Sequence, residues 1–456
     1  MIDSSQIKKY ISDRKNEIVN TLIDLIKIPS ISFTPHSKAL YEQIKKLYKE
    51  NGLSIYEENG YLLAHYGNGK RSIGLFCHAD VVGVSDDWTV CQPFDPVLIG
   101  DELFGRGAID NKSSIVISLF INKMLKDLGI PLKSKLTTFV GFCEETTMDD
   151  IKEYVKSNSP PNFSLVLDAG FPIYLGDKGL LWLECSKEQS FEDLISLRGG
   201  DNVNIILKKA TARVKYSLPL YEELSKNNAI RATKEQDRLL IMAEGISSHG
   251  AMPEGSKNAG FIVLDALLNA GSFSKNDKTI LAPIVSLASK YYGEELGICS
   301  EDGTYGKTTC TNGILRIENG TVSFTLDIRY GNTYTHQSIL EKVKCYMTKL
   351  GYSTKVLKDG EPKAESADNK YVVACMNTYK EHTRNYECQP LINAGGTYSR
   401  YLPNAIETGT TTKFNRCNLP VGHGQAHQPD EHISISGLLD AIEITTKMIL
   451  NCDEIE

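Results

Sequence analysis

Hydrophobic and polar positions follow two different periods in the first 180 residues of the chain. Short apolar runs bounded by polar residues are typical of buried parallel strands, and they occur at residues 72–77, 136–142 and 163–167. Apolar residues at helical spacing predict helices at residues 7–26, 37–51, 111–128 and 149–157. Alternation at residues 53–66 predicts a strand or hairpin. Strand–helix alternation of this kind favours an α/β fold, with a parallel or mixed sheet covered by helices on both sides.

The pattern changes after residue 180 and returns near residue 364. Residues 181–363 mix strand-like runs, for example 204–207 and 322–329, with helical segments and Gly-rich turns. This is typical of an α+β domain. We therefore predict a catalytic domain formed by residues 1–180 and 364–456, with an inserted α+β domain at 181–363.

Composition and charge narrow the functional class. The 456 residues are 41% hydrophobic and 23% charged, with a formal net charge of -7, which argues against a nucleic-acid surface. No apolar run is long enough to span a bilayer, and residues 1–27 lack the apolar core of a signal peptide. Eleven cysteines without CxxC spacing favour free thiols in a reducing compartment. We expect a cytoplasmic protein without a membrane or nucleic-acid partner.

Each of the apolar runs in the first domain ends at potential metal ligands or catalytic acids. The first ends at His78 and Asp80, the second at Glu144 and Glu145, and the third at Asp168. Ligands of open α/β sheets sit outside the carboxyl ends of the strands. The sequence therefore predicts that these side chains gather at one edge of the sheet.

The residue types at that edge suit two divalent cations. Three carboxylates, Asp110, Glu145 and Asp168, and two neutral imidazoles, His78 and His427, offset most of a formal charge of +4. Asp110 lies midway in the ligand order and is the candidate to bridge. Two-metal sites hold their ions about 3.5–4 Å apart around a shared nucleophilic water. Mixed imidazole and carboxylate ligation favours Zn²⁺, with Mn²⁺ or Co²⁺ as alternatives.

Two neighbours of the candidate ligands have predicted catalytic roles. Asp80 lies two residues beyond His78 in an extended segment, so it can hydrogen-bond and orient the ligating imidazole. Glu144 and Glu145 point in opposite directions in an extended chain, so only one of them can face a given metal. We assign Glu145 to the metal and Glu144 to general-base catalysis.

Taken together, these motifs resemble those of the di-zinc peptidases of the M20 clan, and most closely the bacterial dipeptidases of the PepV/carnosinase-like branch. The matching segments cover nearly the whole chain in the family's order, at residues 78–80, 105–112, 144–145, 168 with 176–179, and 427–431. The chain departs from the family pattern at Ser113, where glycine is usual, and at Asn202 and Leu207.

The resemblance implies a zinc-peptidase-like fold and an assignment of the ligands. His78 and Asp168 would hold one ion, Glu145 and His427 the other, with Asp110 between them. The peptide bond between residues 110 and 111 would be cis. The inserted domain would act as a lid, and a lid of this size resembles the monomeric branch, so we expect a monomer.

The resemblance also implies residues that contact the substrate. His249 would polarise the scissile carbonyl and stabilise the oxyanion. Arg329 would hold the terminal carboxylate of the substrate as a bidentate fork. Asn204 falls at a substrate-binding position of the family, and Gly395 and Gly396 match a glycine turn that lines its pocket.

The predicted function is therefore a metal-dependent dipeptidase that hydrolyses short peptides with a free C-terminal carboxylate. One alternative is an N-acyl-amino-acid deacylase or carboxypeptidase on the same di-metal scaffold, because metal motifs do not define the acyl side of a pocket. The other is a non-catalytic binding protein on an enzyme scaffold. That alternative predicts the loss of a ligand or of the base, and the sequence retains all of them.

Overall fold

The structure is a computed structural model that describes residues 4–34, 36–415 and 417–455, apart from the side chains at positions 36 and 288. The chain divides into two compact units. Unit 1 comprises Met1–Asp177 and Ala364–Glu456, and unit 2 comprises Lys178–Lys363. Each unit has a hydrophobic core of its own, so the two are described separately.

The strands of the described chain are numbered here in sequence order. They are β1 (Ile55–Glu58), β2 (Tyr61–Tyr66), β3 (Ser72–His78), β4 (Val97–Ile99), β5 (Glu102–Phe104), β6 (Lys135–Gly141), β7 (Phe163–Ala169), β8 (Tyr174–Asp177), β9 (Gly179–Glu188), β10 (Leu194–Gly199), β11 (Lys209–Lys215), β12 (Arg231–Glu235), β13 (Arg238–Glu244), β14 (Glu301–Asp302), β15 (Gly306–Lys307), β16 (Thr309–Thr311), β17 (Leu315–Glu318), β18 (Thr321–Tyr330), β19 (Ser353–Gly360), β20 (Lys363–Ala364), β21 (Leu391–Asn393), β22 (Ala405–Gly409) and β23 (His432–Ser434).

The helices are numbered in the same way. They are α1 (Ser4–Asp13), α2 (Lys15–Ile26), α3 (His36–Glu50), α4 (Lys112–Asp127), α5 (Asp149–Ser157), α6 (Leu218–Ser225), α7 (Ala259–Asn269), α8 (Lys275–Ala288), α9 (His336–Lys349), α10 (Lys370–Thr383) and α11 (Ile435–Asp453), with a 3₁₀ helix at Tyr398–Tyr401. Among the described residues, none of these helices combines the length and apolarity needed to cross a bilayer.

Unit 1 is built around a mixed sheet, as the sequence predicts. Its strand order is β1-β2-β6-β3-β7-β22-β8-β20, with β21 beside β8. β3 runs parallel to β6 and β7, and β22 runs parallel to β7, whereas β1, β2 and β6 pair antiparallel. β3 and β6 are buried along nearly their whole length, and α4 and α11 pack against β3. The carboxyl ends of β3, β6 and β7 therefore meet at one edge of the sheet.

Unit 2 has a separate antiparallel sheet. Its strand order is β12-β13-β11-β10-β17-β18-β9-β19, with β16 beside β18. Burial alternates along β11 and β13, because one face of an antiparallel sheet packs on the core while the other faces solvent. Helix α7 packs against these two strands.

Two predictions of secondary structure are wrong. Residues 7–26 do not form one helix, because Arg14 has φ -111° and ψ 12° and separates α1 from α2. Residues 204–207 do not form a strand of the sheet and contribute only an isolated bridge between Ile205 and His249. The physical reason is a contact with a segment distant in the sequence, since the Asn204 carbonyl accepts from Gly250 N–H and Ile206 N–H donates to the Ser248 carbonyl. These hydrogen bonds tie the segment to a loop.

Candidate metal centre

The ends of three parallel strands bring the first predicted residues together. His78 is the last residue of β3 and lies in register with Gly141, the last residue of β6. Glu144 follows β6 in a turn, and Asp168 lies near the end of β7. Ligand atoms of His78, Glu144 and Asp168 all lie within 4.8 Å of one another.

Asp110 lies between the two histidines. Its Oδ1 is 3.1 Å from His78 Nε2, and its Oδ2 is 3.0 Å from His427 Nε2. His78 Nε2 is also 3.4 Å from Asp168 Oδ1, and His427 Nε2 is 3.0 Å from Glu145 Oε2. The Asp110–Asn111 peptide bond is cis, as the family resemblance implies. The two oxygens of one carboxylate thus face two different sets of donors.

These distances fit metal coordination. Two donors each about 2.1 Å from a tetrahedral ion lie roughly 3.4 Å apart, and the distances around Asp110 are 3.0–3.4 Å. The tautomer of His78 points the same way. Its Nδ1 lies 3.0 Å from the Asp80 carbonyl oxygen, so Nδ1 carries the ring proton and Nε2 presents a lone pair to carboxylate oxygens. A cation or a proton must lie between such groups.

Unpartnered atoms and charge lead to the same conclusion. Three buried atoms of the centre have no hydrogen-bond partner among the described residues, namely His78 Nε2, Asp110 Oδ1 and Glu144 Oε1. Burial, followed by the charge of Asp168, raises the pKa of Glu144 well above its ordinary range. Burial and the charge of Asp110 raise the pKa of Glu145 to about 7. The centre holds an excess of negative charge that bound cations would offset.

The histidines respond to the same field in the opposite direction. Burial by itself would lower the pKa of His78, but the facing carboxylates of Asp168 and Asp110 reverse this and raise the pKa well above its ordinary value. Burial is likewise outweighed at His427, where Glu145 and Asp110 raise the pKa. The carboxylates around both imidazoles therefore favour a positive charge at this place, either a proton on the ring or a cation bound to it.

Asp80 is a buried support for three groups of the centre. Its Oδ1 lies 3.4 Å from His78 Nδ1 and accepts the Glu144 N–H at 3.1 Å. Its Oδ2 accepts the Glu145 N–H at 3.2 Å and the Ser32 hydroxyl at 2.6 Å. Asp80 thus orients the imidazole and also positions the turn that carries both glutamates.

Sequence reasoning missed residues that hold the ligands from behind. Glu431 accepts hydrogen bonds from the backbone N–H groups of Gly107, Ile109 and Asp110, and from Arg106 Nη1 at 2.6 Å. The acidic tail of the motif at residues 427–431 was the available signal, because a buried acid beside a ligand usually has a structural task.

Asn111 and Asp430 act in the same way. Asn111 Nδ2 donates to Asp168 Oδ1 at 2.7 Å and so orients that ligand. Asp430 is buried and accepts from Thr89 and from the ring of His423, which anchors the loop before β23. His427 itself has φ 65° and a side chain that is 47% exposed, so this ligand lies at the open side of the centre.

His249 and Asn204 lie in unit 2, where the structure brings them together. The bridge at Ile205 pairs their segments, and Asn204 Nδ2 lies 3.5 Å from His249 Nε2. His249 Nδ1 accepts the Ala251 N–H at 3.2 Å. With Nδ1 as the acceptor, a neutral ring carries its proton on Nε2, and Asn204 can accept that proton only through its amide oxygen, because Nδ2 is itself a donor.

Arg329, also in unit 2, is buried and paired within its own strand. Its Nε donates to Asp327 Oδ1 at 2.7 Å and its Nη2 to Asp327 Oδ2 at 3.3 Å. Trp182 Nε1 donates to the same Asp327 Oδ1 at 2.9 Å. Residues two apart on a strand share a face, so the Asp-x-Arg spacing could have predicted this pair. Asp327 fixes the orientation of the guanidinium.

Gly395 and Gly396 form a turn in unit 1 between β21 and the 3₁₀ helix. The Gly395 N–H donates to Asn393 Oδ1 at 2.9 Å. A Cβ added to Gly396 would collide with the guanidinium of Arg400. The turn is therefore tightly packed on its inner side.

The mixed sheet and the centre of imidazoles and carboxylates are typical of a metal-dependent hydrolase. The chain belongs to peptidase family M20/M25/M40, whose family model matches residues 74–451. As a member of this family, the protein is a hydrolytic peptidase. The family is metal-dependent.

The chain is also similar to individual proteins over nearly its whole length. The protein named "Putative dipeptidase" of Staphylococcus aureus (strain MRSA252) is 23% identical, over 97% of this chain and 98% of that protein. Human carnosine dipeptidase 1 has a similar fold, with a TM-score of 0.62 and 13% identity, covering 99% of each chain. A metallo-carboxypeptidase from Sulfolobus solfataricus aligns with a TM-score of 0.57 and 19% identity, over 96% of this chain and 100% of that one.

Proposed function

We propose that the protein is a two-metal dipeptidase that hydrolyses short peptides with a free C-terminal carboxylate. The observation that carries the proposal is the centre around Asp110, where one carboxylate faces His78 with one oxygen and His427 with the other. The relatives named as dipeptidases support the substrate class.

The residues that would hold two divalent ions are His78 and Asp168 for one, Glu145 and His427 for the other, and Asp110 for both. Zn²⁺ suits this donor set, and Mn²⁺ or Co²⁺ are alternatives. When bound, the ions would acidify a water molecule and polarise the scissile carbonyl.

Glu144 is the proposed general base. It is buried, its Oε1 has no hydrogen-bond partner among the described residues, and its backbone N–H is held by Asp80. We infer that this oxygen accepts a proton from the attacking water and returns it to the leaving amine. His249, as a donor through Nε2 to the carbonyl oxygen, and Arg329, as a fork for the terminal carboxylate, complete the proposed roles.

The first test replaces the base and leaves the ligands in place. We expect Glu144→Gln to lower kcat by about 10²–10⁴-fold, because the amide cannot accept the proton. Metal content, measured by mass spectrometry of the purified protein, should stay at the wild-type level. Glu58→Gln, at an exposed position of β1, is the matched control and should change neither quantity. Wild-type kcat in Glu144→Gln would contradict the assignment.

The second test separates the proposed substrate class from the alternative. Turnover of Ala-Ala, β-Ala-His, N-acetyl-alanine and C-terminally amidated Ala-Ala is compared with Zn²⁺ and with Mn²⁺. A dipeptidase cleaves the free dipeptides and loses activity on the amide, which lacks the carboxylate. Faster turnover of N-acetyl-alanine would instead identify a deacylase.

A further inference from the structure

A buried pair of carboxyl groups lies behind the glycine turn of unit 1. Asp177 is the last residue of β8, and Glu407 lies in the neighbouring strand β22. Both are fully buried, and both contact one hydroxyl, because Ser399 Oγ lies 3.1 Å from Asp177 Oδ2 and 2.7 Å from Glu407 Oε1. Two neighbouring buried carboxylates repel each other, and the guanidinium of Arg400 offsets only one negative charge, so one proton held by the pair would neutralise the other.

Glu407 accepts hydrogen bonds from both sides of the turn. Its Oε1 lies 3.0 Å from Thr397 Oγ1 and 2.7 Å from Ser399 Oγ. Its Oε2 accepts from Asn393 Nδ2 at 2.8 Å. The side chain thus connects β21, before the turn, with the 3₁₀ helix after it.

Asp177 is the carboxyl group of the pair that contacts a positively charged side chain, Arg400. Its Oδ2 accepts the Thr397 N–H at 3.3 Å and lies 3.3 Å from Arg400 Nε. Its Oδ1 has no hydrogen donor among the residues that the structure describes, so a proton from Glu407 would supply the missing donor. Because Arg400 favours an ionised Asp177, Glu407 is the protonated member. Burial, followed by the charge of Asp177, raises the pKa of Glu407 well above its ordinary value.

Arg400 connects the carboxyl pair to the two glycines of the turn. Its Nη2 donates to the Gly395 carbonyl at 3.0 Å, and its guanidinium fills the space that a side chain at position 396 would need. On the other side, Asn393 Oδ1 holds the Gly395 N–H while its amide nitrogen binds Glu407. The backbone of the turn is therefore fixed by contacts that converge on the carboxyl pair.

The same segment reaches the candidate metal centre within unit 1. Tyr398 lies edge-on to the ring of His78, with ring centroids 6.4 Å apart. Its hydroxyl donates to Asp150 Oδ2 at 2.6 Å, and that oxygen accepts the N–H groups of Phe142 and Cys143, just before Glu144. A shift of the turn would therefore displace residues that contact His78 and the segment before Glu144.

We propose that Glu407 is a positioning residue whose protonated carboxyl group donates to Asp177 and thereby holds the turn at Gly395 and Gly396 in its substrate-binding conformation. The inference rests on the proposed function for the role of the turn. Besides each other, the carboxyl groups face Arg400 from the 3₁₀ helix and Tyr174 from β8. A pair with one proton and one guanidinium is neutral, which suits its burial.

The kinetic test compares Glu407→Gln with Glu407→Ala. The glutamine keeps a donor for Asp177 and an acceptor for the hydroxyls, so it should retain a KM within about twofold of wild type. The alanine removes both and should raise KM about tenfold, with a smaller change in kcat, since a buried hydrogen-bond network contributes about this much. Asp453→Asn, a buried carboxylate that caps backbone N–H groups elsewhere, is the control and should leave KM unchanged.

The pH profile adds a readout that a purely structural role would not change. Because folding raises the pKa of Glu407, the hydrogen bond from Glu407 to Asp177, which clamps the turn, is present below that pKa and is lost as pH rises through it. Wild-type KM should therefore increase at alkaline pH, whereas that of Glu407→Gln should not. A glutamine variant as impaired as the alanine variant at every pH would overturn the proposal.

Two measurements do not depend on activity and separate this proposal from the proposed function. Difference infrared spectroscopy should show a protonated carboxyl band at pH 7 that Glu407→Gln removes. Hydrogen exchange in residues 393–401 should accelerate in Glu407→Ala and stay at the wild-type rate in Glu407→Gln. An unchanged infrared band, or unchanged exchange in the alanine variant, would refute the shared proton and the clamp even if the enzyme proved inactive on dipeptides.

Discussion

Among single residues, those that hold the candidate ligands are buried. Asp80 is fully buried, as is His78, which it orients, and Asn111 is buried beside Asp168. A metal ligand needs its lone pair aimed within a narrow angle, and a hydrogen bond on its far side provides that aim. The candidate metal centre therefore depends on residues that are not candidate ligands themselves.

At this scale we expect Asp80→Asn to weaken metal binding by about 10–100-fold, because the amide offers one acceptor oxygen where the carboxylate offers two to the Glu144 and Glu145 N–H groups, and it removes the negative charge beside His78. The measurement is a competitive titration of the apoprotein with a chromophoric chelator. Ser32→Ala, which removes only one partner of Asp80, should have a smaller effect. Equal affinities in Asp80→Asn and wild type would show that the contact is not needed.

At the scale of elements, the loop between β5 and α4 is held by a residue from the far end of the chain. Glu431 accepts three backbone N–H groups of this loop and pairs with Arg106. Both side chains are buried, so neither can be left unpaired without cost. The loop that presents Asp110 is thus stabilised only in the folded molecule.

We expect Glu431→Gln to lower the free energy of unfolding by about 3 kcal/mol, because it leaves the buried guanidinium of Arg106 without a counter-charge. Urea unfolding gives this value. Glu454→Gln is the matched control, since its ion pair with Lys133 is exposed and should contribute less than about 1 kcal/mol. A similar loss in both variants would contradict the explanation.

At the scale of the whole molecule, the two units have separate cores, and the candidate ligands all belong to unit 1. Binding of metal to the native state stabilises the structure that holds it, by an amount that grows with the ratio of free ion to Kd. Removal of metal should therefore affect the two units unequally.

We expect chelation by EDTA to accelerate hydrogen exchange in the unit 1 segments around His78, Asp110, Asp168 and His427. The central strands of unit 2, such as β13 and β18, should keep their protection because their core does not include the centre. Added Zn²⁺ should restore the original rates. Acceleration of equal size in both units would contradict a metal site confined to unit 1.

Several features followed from the sequence because they depend on neighbours in the chain. The apolar runs that become β3, β6 and β7, and the acidic residues after them, indicated the mixed sheet and the edge at which the side chains meet. The break at Arg14 was missed because the local backbone conformation overrides periodicity there, and the loop at Asn204 was missed because its hydrogen bonds go to residues 248 and 250, far along the chain.

What the sequence determined by itself is the order of the elements, the family and the chemical types of the candidate donors. These rest on local periodicity and on residue identity, which can be recognised without knowledge of tertiary contacts. The tertiary structure alone decided the partnerships: Asp80 with the Glu144 turn, Glu431 with Arg106, and Glu407 and Asp177 with Ser399. Such contacts join distant positions of the chain. Burial in the folded molecule, rather than spacing in the sequence, determines the protonation, the charge and the orientation of these side chains.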